Sequence, residues 1–410
     1  MVDILYSLVD VNERFNRLAL YFVYTHHHLN LVISPLVEHY SSSIDGQVLD
    51  RICRNVLPQI SNNIYQLTVE PLSLERVLSS ANYPYLHSLA LVNFPSEILL
   101  PQLIGNTKLV RHLTDQITEL HVESYINKDK STNRRELDIF ALIISVKGLT
   151  YYYDRQIVPL LRRMSNLEEL SLFLTVLRFD STFIDGKQLY NDFLSAMTRL
   201  QKFSFNIHTQ LDNKETEIHL PSSNDLRESF FEIGYENVDA FGDINFVNNR
   251  ADSHIFSLPY EFKQFYFMTS VFPGGKFDQV QMLAMFDRRP FEHRLFKIIA
   301  RDLPFLRLLV VANREGQQIE DHSDECVTFS HLCKLTLGYS HSDYAKEFLC
   351  NENVALPRLT NLAITYQTLE TVTNSFTHHQ ARRTCNRITK IHFPEPFVRS
   401  SNFHLCFPHL

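Results

Sequence analysis

Leu167-Glu168-Glu169-Leu170-Ser171-Leu172 is the stretch on which the fold turns. Leu170 and Leu172 lie two apart, so they share one face of a strand, while Glu169 and Ser171 take the other. Leu167 sits at the turn leading in. Such alternation marks a strand with one face buried. The phrase returns as Leu200-Gln201-Lys202-Phe203-Ser204-Phe205, and working outward in both directions gives ten copies. Their central residues are Leu67, Leu89, Leu120, Leu170, Phe203, Phe265, Leu309, Leu335, Leu362 and Ile391.

Several steps between copies measure 22 to 33 residues. A regular leucine-rich repeat runs about 20–29 residues. The longer steps call for insertions. Asn127 to Glu136 reads as a charged exposed loop, and Asn206 to Asn249 as a long loop or hairpin including Thr216 to Leu220. Helical spacing precedes several copies, at 158–164, 192–197, 295–301 and 343–349. Strand then helix, repeated, implies parallel strands joined by crossovers. A doubly wound sheet would also alternate, but its strands favour continuous apolar runs, and ten strands strain an open sheet. The expected class is α/β: a leucine-rich-repeat-like horseshoe solenoid of about ten short parallel strands with crossover helices over 46–410. Residues 1–45, with apolar residues three and four apart, read as a short helical segment capping it.

The chain has 410 residues, 44% hydrophobic and 21% charged, within the globular range. It holds 55 Leu and only 10 Gly. A net charge of −7, with Arg134-Arg135, Arg162-Arg163 and Arg382-Arg383 as isolated pairs, argues against nucleic acid. Six scattered Cys read as reduced thiols, the N-terminus lacks a secretory pattern, and no apolar run nears about 18 residues. A cytoplasmic protein follows, the nucleus also being open to it, with no membrane partner. His26-His27-His28 and His378-His379 read as solvated turns, since adjacent His cannot converge on one ion from a regular element. Pro273-Gly274-Gly275-Lys276 lacks phosphate-loop spacing and reads as a turn. No catalytic, metal or cofactor site is expected. Aromatics at Tyr151 to Tyr153 and Tyr260 to Phe267 suit a core or a protein-binding surface.

Val2-Asp3-Ile4-Leu5-Tyr6-Ser7-Leu8-Val9-Asp10-Val11-Asn12-Glu13-Arg14-Phe15-Asn16-Arg17-Leu18-Ala19 resembles the second half of an F-box. The first half, with its Leu-Pro signature, would lie before Met1. With the repeats, the resemblance is to F-box proteins carrying leucine-rich-repeat-like solenoids. It implies a non-enzymatic substrate-recognition subunit of a cullin-type ubiquitin ligase, docking on a Skp-type adaptor. Ile4, Leu5, Leu8, Phe15 and Leu18 match the apolar positions of the box. An unidentified protein substrate would then meet the polar strand positions, among them Glu168, Ser171, Lys202, Ser204, Lys334, Thr336, Asn361 and Ala363. With a shortened box, the same chain would serve as a ligase-independent scaffold or an inactive paralogue.

Overall fold

A computed structural model describes residues 27–32, 44–92, 116–123, 149–150, 153–179, 182–212, 221–245, 250–318 and 326–410. The chain forms two compact units, residues 1–257 and 258–410. It is a mixed α/β protein built on large, mainly parallel sheets.

In the first unit, parallel strands run β1 (His28–Asn30), β2 (Gln66–Val69), β3 (Ser88–Leu91), β4 (Glu119–Glu123), β6 (Glu169–Arg178) and β7 (Lys202–Asp212). The short β5 (Leu149–Thr150) pairs with the far half of β6. An antiparallel hairpin, β8 (Val238–Asn245) and β9 (Arg250–Ser257), closes this sheet, with β9 against β7. The second unit stacks β10 (Gln264–Met268), β11 (Met282–Phe286), β12 (Leu308–Ala312), β14 (Lys334–Thr336), β16 (Asn361–Ala363) and β17 (Lys390–His392), all parallel. A second small parallel pair joins β13 (Val327–Thr328) to β15 (Val354–Ala355).

All ten phrases are strands, and their central residues align. Leu29, Leu67, Leu89, Leu120, Leu170 and Phe203 are successive partners in one unit. Phe265, Leu283, Leu309, Leu335, Leu362 and Ile391 are successive partners in the other. One carbonyl per rung holds the register. In the first unit the carbonyls of His27, Tyr65, His87, Thr118 and Glu168 each accept two N–H groups of the next rung, at 2.8–3.1 Å. In the second, the carbonyls of Lys263, Gln281, Arg307, Cys333 and Thr360 do the same at 2.7–3.1 Å. A carbonyl oxygen has two lone pairs, so both bonds are satisfied.

A turn precedes most of the described rungs. The N–H of the first apolar residue donates to the carbonyl three residues back, as in Leu86 to Tyr83, Leu167 to Met164, Leu200 to Met197, Leu306 to Leu303 and Leu359 to Leu356. Those earlier residues are themselves buried, so the repeat extends three residues upstream of the phrase.

Helices carry the chain between rungs. They are α1 (Gly46–Arg51), α2 (Leu57–Ile60), α3 (Pro71–Ser80), α4 (Val158–Arg163), α5 (Gly186–Asp192) and α6 (Ser223–Phe231) in the first unit. The second unit has α7 (His293–Asp302), α8 (Ser342–Leu349), α9 (Tyr366–Val372), α10 (His379–Cys385) and α11 (Phe403–Cys406). Pro71 opens α3 and Pro159 sits in the first turn of α4, where a missing N–H costs nothing. Ser222 and Asp225 cap α6 reciprocally. Between β10 and β11 there is no helix; the rings of Tyr260, Phe272 and Phe277 each pack on Phe265, and Tyr260 and Phe272 each meet Phe277. Tyr366, Phe376, Phe393, Phe397, Phe403 and Phe407 gather beside the last rung.

Several expectations change. The segment 1–45 contains β1, so the repeat begins before residue 46. His26 occupies the position that Leu holds elsewhere, which hid this rung, and His28 opens a strand rather than a turn. The 44-residue gap between Phe265 and Leu309 holds a full rung at Leu283. In β10 a bulge, with Phe267 at φ 59°, hands the second core position from Phe267 to Met268. Helix α5 ends where the sequence suggested one would start, and a single 3₁₀ turn at Leu194–Ala196 follows. The polar stretch after Phe203 continues as strand to Asp212, then holds α6 and the hairpin. Asn127 to Glu136 and Thr216 to Leu220 lie outside the described residues.

Gly186 fixes the approach of α5 to α6. A Cβ there would stand 2.5 Å from the Ser229 carbonyl oxygen, and its N–H donates to Ser229 Oγ at 2.9 Å. Gly46, also at a helix start, has nothing within 4 Å of such a Cβ. Gly186→Ala is expected to destabilise by about 1–3 kcal/mol, through overpacking. Gly46→Ala is expected to be neutral or slightly stabilising. Thermal unfolding of the two variants side by side checks both.

Candidate binding face

Ten of the twelve rungs bury the central residue and the residue two beyond, and turn their alternate positions away from the core. Those outward positions form columns through the register. The column just after the central residue is closed in much of the structure. Ser204, Tyr266, Thr336 and Ala363 there are at most 5% exposed. The columns at the leading end of the strands stay open.

The positions expected to meet a partner divide accordingly. In the first unit, Glu168 is half-exposed and pairs with Arg199 at 2.8 Å, Lys202 is exposed, and Ser171 is half-exposed beside the buried Ser204. In the second, Lys334 and Asn361 are half-exposed register partners, whereas Thr336 and Ala363 are buried partners. Burial removes Ser204, Thr336 and Ala363 from the accessible face. Ile4, Leu5, Leu8, Phe15 and Leu18 lie outside the described residues.

The leading edge differs between the units. In the first it is aromatic and acidic. Tyr65 meets His27 edge-on at 4.9 Å, stacks with Tyr85 at 5.7 Å and meets His87 at 6.0 Å. His87 Nε2 lies 4.0 Å from Glu119, and Glu168 and Glu169 follow in the same two columns. In the second unit the edge is cationic. Arg307, Lys334, Arg358, Arg387 and Lys390 come from four successive rungs, and Phe305 meets His331 at 5.4 Å among them. These residues stand 3 to 29 apart in sequence. No contiguous run betrays them, because the stripe is assembled across the repeats and not along the chain.

Toward the hairpin the outward face is buried as well. Phe173, Thr175, Asn206, His208, His254 and Phe256 are each at most 3% exposed. The uninterrupted run Phe173-Leu174-Thr175-Val176-Leu177 is its sequence signature, as for any strand covered on both faces. The polar groups there pair with each other. His254 Nε2 lies 2.7 Å from Asn206 Oδ1, and His208 Nε2 lies 3.1 Å from Asp252 Oδ1, to which Gln210 also donates at 3.2 Å. Burial, and secondarily the neighbouring His208, hold the His254 imidazole well below its usual pKa. It is therefore neutral at physiological pH.

Other features singled out in the sequence have structural uses. His378 caps α10 by accepting from the Ala381 N–H. Gly274 and Gly275 adopt positive φ in a turn whose Gly275 N–H donates to Asp302. Tyr153 is buried and donates to Asp192 at 3.0 Å; Tyr260, Phe262, Phe265 and Tyr266 are buried too. All six Cys are unpaired by disulfides, and burial raises the thiols of Cys350, Cys385 and Cys406. Among the described residues no three His, Cys, Asp or Glu side chains converge as metal ligands, and no helix is long and apolar enough to cross a membrane. Compared with known protein families the chain matches none, and no curated protein matches it.

Protonating His254 in place would strand a charge among Phe241, Phe256 and His208. The unfolded chain binds that proton near pH 6.5 and the folded chain only well below it. Stability from this residue is thus complete above pH ~6.5 and declines as pH falls, by up to about 1.4 kcal/mol per unit for one proton. Urea unfolding at pH 7.5 and 5.5 should show His254→Gln losing less stability on acidification than the natural chain. Equal slopes would contradict a neutral buried imidazole.

Proposed function

We propose that each unit is a leucine-rich-repeat-like stack of the horseshoe-solenoid type, and that the protein is a non-enzymatic binding module. Its role is to recognise protein substrates for a cullin-type ubiquitin ligase through a Skp-type adaptor. The observation carrying this reading is the register. Eleven of the twelve rungs place their apolar pair at the same step, and ten supply a double-accepting carbonyl. Four consecutive steps in the second unit, from Leu283 to Ile391, run 26, 26, 27 and 29 residues, the length of one such repeat. Stacked repeats of this kind present long partner-binding surfaces from their strands. The F-box-like phrase from Val2 to Ala19 supplies the link to an adaptor.

A pull-down with purified Skp-type adaptor tests the link, using this chain and a version extended upstream. Capture by either is expected, reduced at least tenfold by Leu5→Asp with Leu8→Asp. No capture by either would remove the ligase reading and leave a ligase-independent scaffold.

A further inference from the structure

We propose that the leading edge of the second unit, from β12 to β17, docks an acidic, extended polypeptide segment of the partner. This deepens the protein-binding reading above and rests on it. Arg307, Arg358, Arg387 and Lys390 are exposed and Lys334 is half-exposed. Among the described residues none of the five forms an ion pair. Among the described residues Arg358 lies 3.4 Å from His331 Nδ1, and Arg387 donates to the Pro357 carbonyl at 3.2 Å.

The register brings these cations together. Arg307 falls in a column with Gln281, Cys333, Thr360 and Thr389, and Lys334 and Lys390 fall in the next with Met282, Leu308 and Asn361. Neither column contains an acid. The column before them runs Gln279, Phe305, His331, Arg358 and Arg387. An acid, Glu261, enters it only at the first rung, beside Lys263, outside the strip. At the same columns the first unit holds Glu119, Glu168 and Glu169, and its Arg199 is engaged by Glu168. Among the described residues the surplus of positive charge is therefore particular to this edge.

Charge complementarity asks for carboxylates, and the geometry asks for a polypeptide. Four rungs at strand spacing span about 14 Å, the length of four or five extended residues. Partly exposed Met282 and Leu308 and exposed Phe305 lie between the cations, giving apolar contacts to a peptide with mixed side chains. A nucleic acid would extend its charge far past this strip, toward a chain of net −7. A short acidic segment stays within the roughly 10 Å over which charges act at moderate salt.

Fluorescence anisotropy on the full chain tests this with a labelled peptide of about twelve residues in which Glu alternates with Leu and Tyr. A Lys-for-Glu peptide and an oligouridylate serve as comparisons. Binding that weakens several-fold from about 50 to about 300 mM NaCl is expected. Arg307→Glu, Arg358→Glu and Arg387→Glu together should weaken it at least tenfold, while Lys276→Glu, Arg288→Glu and Lys346→Glu, the same charge change elsewhere, should leave it within twofold. The corresponding Arg→Gln triple, checked by circular dichroism, decides the matter if the reversal variant fails to fold. Undiminished binding by the strip variants, absence of binding, or oligouridylate binding that the Glu peptide cannot displace would each overturn the assignment. Adaptor capture is read separately, so the ligase link and this docking strip can fail independently.

Discussion

Every rung depends on a single backbone oxygen. The carbonyl of the residue after the first apolar position accepts the next rung's two N–H groups, and that geometry recurs ten times in two sheets. It sets the register, and the register sets everything outward of it. A slip of one residue would send Leu170, Leu120 and Leu89 to the open face and bring Glu169, Glu119 and Ser88 into the core. Fully burying each Leu is worth about 1.5–3 kcal/mol, so the penalty multiplies along the stack. The carbonyl and the apolar pair thus enforce one another. The buried turn residue upstream, such as Met164 or Leu303, aims the chain so that the carbonyl arrives in place.

The strands were legible because period-two alternation is a local property. Leu167 to Leu172 announces itself without reference to any other part of the chain. Two rungs depart from that local pattern. The β1 rung carries His26 where a Leu was sought, and the β11 rung opens with Val280 and closes with Met285. Both are held by the same carbonyl geometry as their neighbours, which no residue type reveals. Helix placement was less legible. Near α5 the apolar residues Phe193 and Met197 suit a helix, yet Asp185, whose side chain caps Gln188, and the close contact at Gly186 start it earlier.

The candidate face was legible only in part, for a related reason. Alternation identifies which side chains leave the core, but not whether anything covers them. Lys334 and Asn361 left the core onto an open edge; Thr336 and Ala363, on the same strands, left it into a column closed by their neighbours. Small residues in register shade one another, whereas a long cation reaches past them. Near the hairpin the outward face is closed entirely, and the His254–Asn206 and His208–Asp252 pairs are what make polar residues tolerable there. His254 packs between Phe241 and Phe256.

The net charge of −7 conceals a division that follows the units. Residues 1–257 hold 22 Lys and Arg against 31 Asp and Glu, a net of −9, whereas residues 258–410 hold 17 against 15, a net of +2. Total charge speaks to solubility and long-range attraction. Recognition is decided by charges within a few ångströms of a partner, and those are ordered by register. One cation per repeat is unremarkable in a sequence where the repeats are 24 to 29 residues apart, as Lys334, Arg358 and Arg387 are. Stacked at strand spacing, the same three stand on neighbouring rungs about 5 Å apart along the sheet. The repeat thereby converts a sparse one-dimensional pattern into a dense two-dimensional one, and a single substitution per repeat is enough to turn an acidic edge into a basic one without touching a core residue.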